Sequence, residues 1–274
     1  MLAVFAHWTG RVVGRGGLEP PTSAVDRAER CAKRALQSRT RQTPYAELCS
    51  AKSKQGCDLP SSTLVSMKLD HVLIAVADLA AAGREIESRH GLASIEGGRH
   101  PAWGTANRVV PLGDSYLELV AVVDAAKAVQ SAFGRWVASG VSSIARPLGW
   151  AVRTSQLDAL ARRLDLPVHA GSRTTPGGDQ LRWRSAGIDQ AVAEPSLPFF
   201  IEWGRQTQLP GHAAISHRAG NATISRLVLD ADPVRLIDWL GDHQLPIVVR
   251  AGKPAVTAIY ISSDAGEIVL GLGG

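Results

Sequence analysis

Leu69-Asp-His-Val-Leu-Ile-Ala-Val76 is the stretch on which the fold is read. It is short, rich in branched apolar residues and closed by Ala77-Asp78, which makes it a strand. Asp78 then stands where a helix N-cap is wanted, and Gly91 where a helix stops. Between them Leu79, Ala82, Gly83 and Ile86 repeat at the spacing of one helical face. Further strands are expected near 92–95, at 107–111 and at 116–123, with Gly113-Asp114 turning the last pair. The unit reads β-α-β-β-β.

Working outward, the same order recurs. A strand at 148–154, a helix at 156–164 and strands at 166–170, 180–184 and 198–203 form a second unit. A strand at 223–229, a helix at 233–242 and strands at 247–250, 256–262 and 267–272 form a third, smaller one. Pro233 opens its helix, where proline is favoured. The helix starts Leu79, Leu157 and Pro233 are 78 and 76 residues apart. The expected domains are a pair of units over 67–205, a linker over 206–222 and the third unit over 223–274.

Residues 1–66 differ in kind. They hold ten of the 30 Lys and Arg but five of the 25 Asp and Glu, so the remainder carries equal numbers of each sign. The chain's high pI therefore gives no reason to expect the folded part to bind nucleic acid. All three cysteines (Cys31, Cys49, Cys57) lie here too, which excludes a disulfide framework or cysteine nucleophile beyond residue 66. One reading is a basic disordered arm. The other, preferred here, is translated non-coding sequence: Gly16 to Thr22 resembles the product of an antisense transfer-RNA T-arm, and the start would be Met67. No apolar run is long enough to span a membrane, and the N-terminus makes a poor signal peptide. A cytoplasmic location is expected.

The repeated units, with Asp70-His71-Val72 opening the first and Tyr116-Leu-Glu118-Leu closing it, resemble the vicinal oxygen chelate superfamily. Gly98-Arg-His-Pro-Ala-Trp-Gly-Thr105, Leu181-Arg-Trp-Arg184 and Phe199-Phe-Ile-Glu-Trp-Gly204 resemble its glyoxalase-like subgroup. The resemblance implies an α+β fold in which two βαβββ units curve eight strands around a cavity. It also implies a divalent ion (Zn, Ni, Mn or Fe(II)) held from the first and last strands of each unit. His71, Glu118 and Glu202 stand at three of those places. The fourth falls near Gly149 or Trp150, and neither offers a donor. In the third unit Ser225 replaces the histidine.

Strand alternation divides the candidates between two faces. His71, Tyr116 and Glu118 are expected on the cavity side, joined in the second unit by Glu202, Arg182 and Arg184. Glu118 and Glu202 would act as ligands or, if displaced, as a general base. Arg182 and Arg184 would hold a carboxylate or phosphate of the substrate, or merely form a solvated edge or pair with Glu202. His100 and Trp103 would shape the mouth, Asn107 would bond substrate or backbone, and Trp150 would close the ligand pocket. A lone strand histidine is usually structural, but a carboxylate in an apolar strand needs a partner. Two functions follow: a metal-dependent lyase, isomerase or dioxygenase for a small oxygenated substrate, or a metal-free protein that sequesters a small molecule. Exposed edges of the third unit would be covered by homodimerisation or by packing on the first pair.

Overall fold

The computed structural model describes residues 66–141 and 146–271. The expectations for residues 1–65, and for Leu272, lie outside them.

The first unit comprises strand β1 (Met67–Ala75), helix α1 (Leu79–His90), β2 (Ile95–His100), β3 (Thr105–Leu112) and β4 (Ser115–Val122). Asp78 caps α1 by accepting from the Ala81 amide at 2.9 Å, and Gly91 ends it at φ 68°. Helices α2 (Ala125–Ala128) and α3 (Ala132–Gly140) follow. The second unit is β5 (Gly149–Thr154), α4 (Leu157–Leu164), β6 (Val168–Thr174), β7 (Gln180–Ala186), α5 (Ile188–Ala193) and β8 (Phe199–Trp203). Helices α2 and α5, of four and six residues, are too short to show a helical period, and the nine-residue α3 was not expected either. Ser131 caps α3 through the Gly134 amide, and its Phe133, Trp136 and Val137 are buried.

These eight strands form a closed barrel in the order β1-β4-β3-β2-β6-β7-β8-β5. In each unit the first strand lies parallel to the last. His71 pairs with Tyr116 and Leu73 with Glu118 in one; Ala151 pairs with Phe199 and Arg153 with Ile201 in the other. The units join where β1 and β5 run antiparallel with His71 opposite Ala151. The opposite seam, β2 to β6, rests on the single pair Arg99 and Thr174.

The third region keeps the element order but not the pairing. It consists of β9 (Ala222–Asp230), α6 (Pro233–Leu240), β10 (Ile247–Arg250), β11 (Ala255–Ser263) and β12 (Gly266–Gly271). Its sheet runs β10-β9-β11-β12, so the first strand lies beside the second and third rather than the fourth. It is thus not a third copy of the barrel unit. Apolar periodicity reports which face is buried, not which strand is the neighbour. The sheet packs on the barrel's outer layer, where Leu227, Leu229 and Ile259 share one core with Ile86, Leu117 and Leu157. Trp239 stacks on Phe200 at 5.7 Å and donates to the Pro198 carbonyl at 2.9 Å.

Candidate functional site

A cavity inside the barrel is bounded on one side by His71, His100, Asn107, Tyr116 and Glu118, all from the first unit. Across from them stand Trp183, Phe199, Ile201 and Trp203 of the second unit, with Trp103, Phe133 and Ile188 closing the top.

The polar side is a connected chain. Asp70 accepts from the Trp203 indole at 2.9 Å and faces His71 Nδ1 at 2.7 Å; Arg153 lies 3.6 Å from its other oxygen. An ionised carboxylate only accepts, so His71 carries its hydrogen on Nδ1. His71 Nε2 then looks at Glu118 Oε2 across 3.4 Å, while Glu118 Oε1 accepts from Asn107 at 2.7 Å. Asn107 turns its carbonyl towards Arg173 at 3.5 Å. Two lone pairs facing each other over 3.4 Å are unfavourable unless a proton or another cation lies between them. His71 is wedged between Tyr116, stacked at 4.7 Å, and the edge of Phe199 at 5.5 Å.

His100 is a different histidine. Its Nδ1 meets Thr105 Oγ1 at 3.1 Å. Burial drives its pKa down to about 4 against the pull of Glu118, so the ring is neutral near pH 7. Burial, reinforced by Asp70 and Glu118, holds the Tyr116 hydroxyl protonated. Among the described residues Tyr116 Oη, Ser185 Oγ and His100 Nε2 have no hydrogen-bond partner, and none is packed away from free space. These atoms are offered to whatever the cavity holds.

Several expected residues lie elsewhere. Glu202 is on the outer face of β8; Arg184 holds its carboxylate, by Nε at 3.0 Å and more closely by Nη2, and reaches Asp158 as well. The register explains this: Phe199 stands to Ala151 as Tyr116 stands to His71, which puts Ile201, not Glu202, at the place of Glu118. Alternation along one strand fits either parity, and only the neighbouring strand selects one. The same reversal turns Arg182 and Arg184 outward and Trp183 and Ser185 inward. Arg182 bonds Gln180. Trp150 is fully buried in the outer core beside Phe200, donating to the Ser196 carbonyl at 3.0 Å; it closes no pocket. At Gly149 an added Cβ would come within 2.5 Å of the Trp136 ring, so that ring fills the space of a ligand there.

The sequence reading passed over Asp70, Arg173 and Ser185. Asp70 was visible as a carboxylate beside a histidine. Arg173 lies three residues past the expected end of its strand, and Ser185 one residue past the expected end of its own.

Residues 69–245 match the family model of the glyoxalase-like domain. The chain belongs to that family. No curated protein matches it. A solved structure of a hypothetical protein from Staphylococcus aureus resembles this glyoxalase-like protein with a TM-score of 0.55 at 13% identity, over 74% of this chain and 98% of that one. Methylmalonyl-CoA epimerase from Mycobacterium tuberculosis is 22% identical over 53% of this chain and 92% of that one, with a TM-score of 0.36. The Streptomyces coelicolor epimerase in complex with 2-nitronate-propionyl-CoA is 22% identical over 50% and 94%, with a TM-score of 0.35. The staphylococcal likeness shows the fold alone.

The donors of the glyoxalase-like barrel fit the divalent ion that the resemblance implies only in part. His71 and Glu118 converge, but Ala151 and Ile201 occupy the matching places of the second unit. No group of three or more His, Cys, Asp or Glu able to hold an ion occurs among the described residues. A resident ion with three or four side-chain ligands is therefore not supported by this donor set.

Proposed function

We propose that the barrel is a metal-independent binding site that sequesters a small oxygenated molecule between its polar and aromatic halves. The observation that carries this reading is the Glu202–Arg184 clamp, which removes the third expected ligand and leaves Ile201 facing Glu118's side of the cavity. Oxygens of the ligand meet Tyr116, Ser185 and His100; its body meets Trp103, Phe133 and Trp183. The free space admits a water centre over about 30 Å³, enough for one or two waters. A larger ligand therefore displaces the closing side chains, of which Trp103 and Phe133 lie 4.8 Å apart. Three tryptophans in the wall make their fluorescence the natural readout. Ligand titrations of the full chain should give the same affinity before and after exhaustive chelation; a response abolished by the chelator overturns the reading.

A second reading has one observation in its favour. The 3.4 Å between His71 Nε2 and Glu118 Oε2 suits two ligands of one divalent ion, which at bond lengths of about 2.0–2.2 Å would subtend roughly the tetrahedral angle. Lyase, isomerase or dioxygenase chemistry would then be open. Elemental analysis of the parent beside a His71→Ala, Glu118→Gln double variant separates the two: near-stoichiometric metal, lost in the variant, selects the second.

A further inference from the structure

Arg173 is 5% exposed and lines the cavity, yet no carboxylate among the described residues pairs with it. Lys68 is matched by Asp114, Arg153 by Asp70 and Arg184 by Glu202 and Asp158, while Arg99, Arg108 and Arg182, which have no carboxylate partner among the described residues, are less buried. A buried, unpaired guanidinium is costly, and such charges are found paired or hydrogen-bonded. Only Nη1 of Arg173 is engaged, by the Gly97 carbonyl and by Asn107 Oδ1. Its Nε and Nη2 bond nothing among the described residues, and the side chain borders both the barrel cavity and the cleft outside this seam. The chain makes room for this group at the barrel's weakest seam. A Cβ on Gly97 would collide with Asn107 and Arg173, and Gly98, at φ 140°, passes so close to the Thr174 carbonyl that an added Cβ would lie 2.5 Å from it.

We propose that Arg173 is the anion-binding group of the cavity and that the ligand is a small carboxylate with a flat apolar body. The guanidinium fork matches a carboxylate in two parallel hydrogen bonds. Asn107 stands between this position and Glu118, its carbonyl towards Arg173 and its NH2 donating to Glu118, and so separates the ligand's charge from the protein's own. Tyr116 and Ser185 supply further polar contacts, and Trp103, Phe133 and Trp183 supply flat apolar walls. The role that the sequence suggested for Arg182 and Arg184 thus falls to a different arginine. This inference rests on the reading of the cavity as a small-molecule site.

The test titrates the full chain by calorimetry and tryptophan fluorescence with benzoate and phenylacetate, each beside its neutral amide, and with phenyl phosphate. Carboxylates should bind about tenfold to a hundredfold tighter than their amides. The preference should vanish in Arg173→Gln and survive in part in Arg173→Lys. The parent comparison decides even if Arg173→Gln fails to fold. Equal binding of acids and amides overturns the anion assignment while leaving the small-molecule site intact. Phenyl phosphate binding best overturns the choice of carboxylate. Binding by none of the five overturns both this inference and the reading on which it rests.

Discussion

The two halves of the barrel share one backbone plan and opposite chemistry. His71 in the first faces Ala151 in the second, Glu118 corresponds to Ile201, and Tyr116 to Phe199. Asn107, two residues further along its strand pair, corresponds to Trp183, since Asn107 opposes Val120 and Trp183 opposes Trp203. A duplicated unit normally offers donors from both sides. Here the first unit supplies the histidines, the carboxylate and the amide, while the second lines most of the same space with aromatic and aliphatic residues and adds Arg173 and Ser185.

The sharpest way to break this comparison is to restore a donor to the apolar half. Ile201→Glu should convert the pair His71 and Glu118 into a three-donor set. Zinc or nickel bound per chain, measured by elemental analysis after dialysis, should rise from near zero to about one. An unchanged metal content in a folded variant would show that the register argument misplaces Ile201.

Trp150 tests the outward face of β5, the strand that pairs with β8. If it is core rather than ligand pocket, Trp150→Ala should cost about 3–5 kcal/mol in urea unfolding, because a large buried ring and its hydrogen bond to Ser196 are lost. A mild loss of stability with altered ligand binding would return Trp150 to the pocket.

His100 lets pH report on the polar half. Its folded pKa of about 4 lies below its ordinary value of 6.5, so the unfolded chain binds the extra proton first. The contribution is complete above about pH 6.5 and is lost as pH falls towards 4, by about 3 kcal/mol. Denaturation of His100→Gln should lack this slope, and a parallel pH profile in parent and variant would refute it.

Two carboxylates close the comparison at its smallest effects. Asp70→Asn disturbs a buried carboxylate facing His71, Trp203 and Arg153, and should cost about 3 kcal/mol. Glu202→Gln weakens a partly exposed pair with Arg184 and should cost under about 1 kcal/mol. Equal costs in urea unfolding would mean that Glu202 is more than a surface clamp.

Much of the fold was legible along the chain. Asp78 and Gly91 marked the first helix, and every strand of both barrel units was anticipated, though the second began three residues later than expected and others ended elsewhere. The inward face of the first unit was legible too, because the motifs around His71 and Glu118 set their parity. The second-unit site was not. Glu202 resembled Glu118 in its local setting, an acidic residue in an apolar strand, and local setting was the only available guide.

By itself the sequence determined which segments are strands and helices, that the chemistry beyond residue 66 lacks cysteine, and that His71 and Glu118 share a face, since hydrophobic period and capping act within a few residues. Only the tertiary structure decided which of two alternating faces looks inward in the second unit, which neighbours each strand takes in the third region, and which arginine is buried without a partner. Those outcomes depend on register between strands far apart in the chain, where a shift of one residue exchanges cavity for surface and leaves the local pattern unchanged.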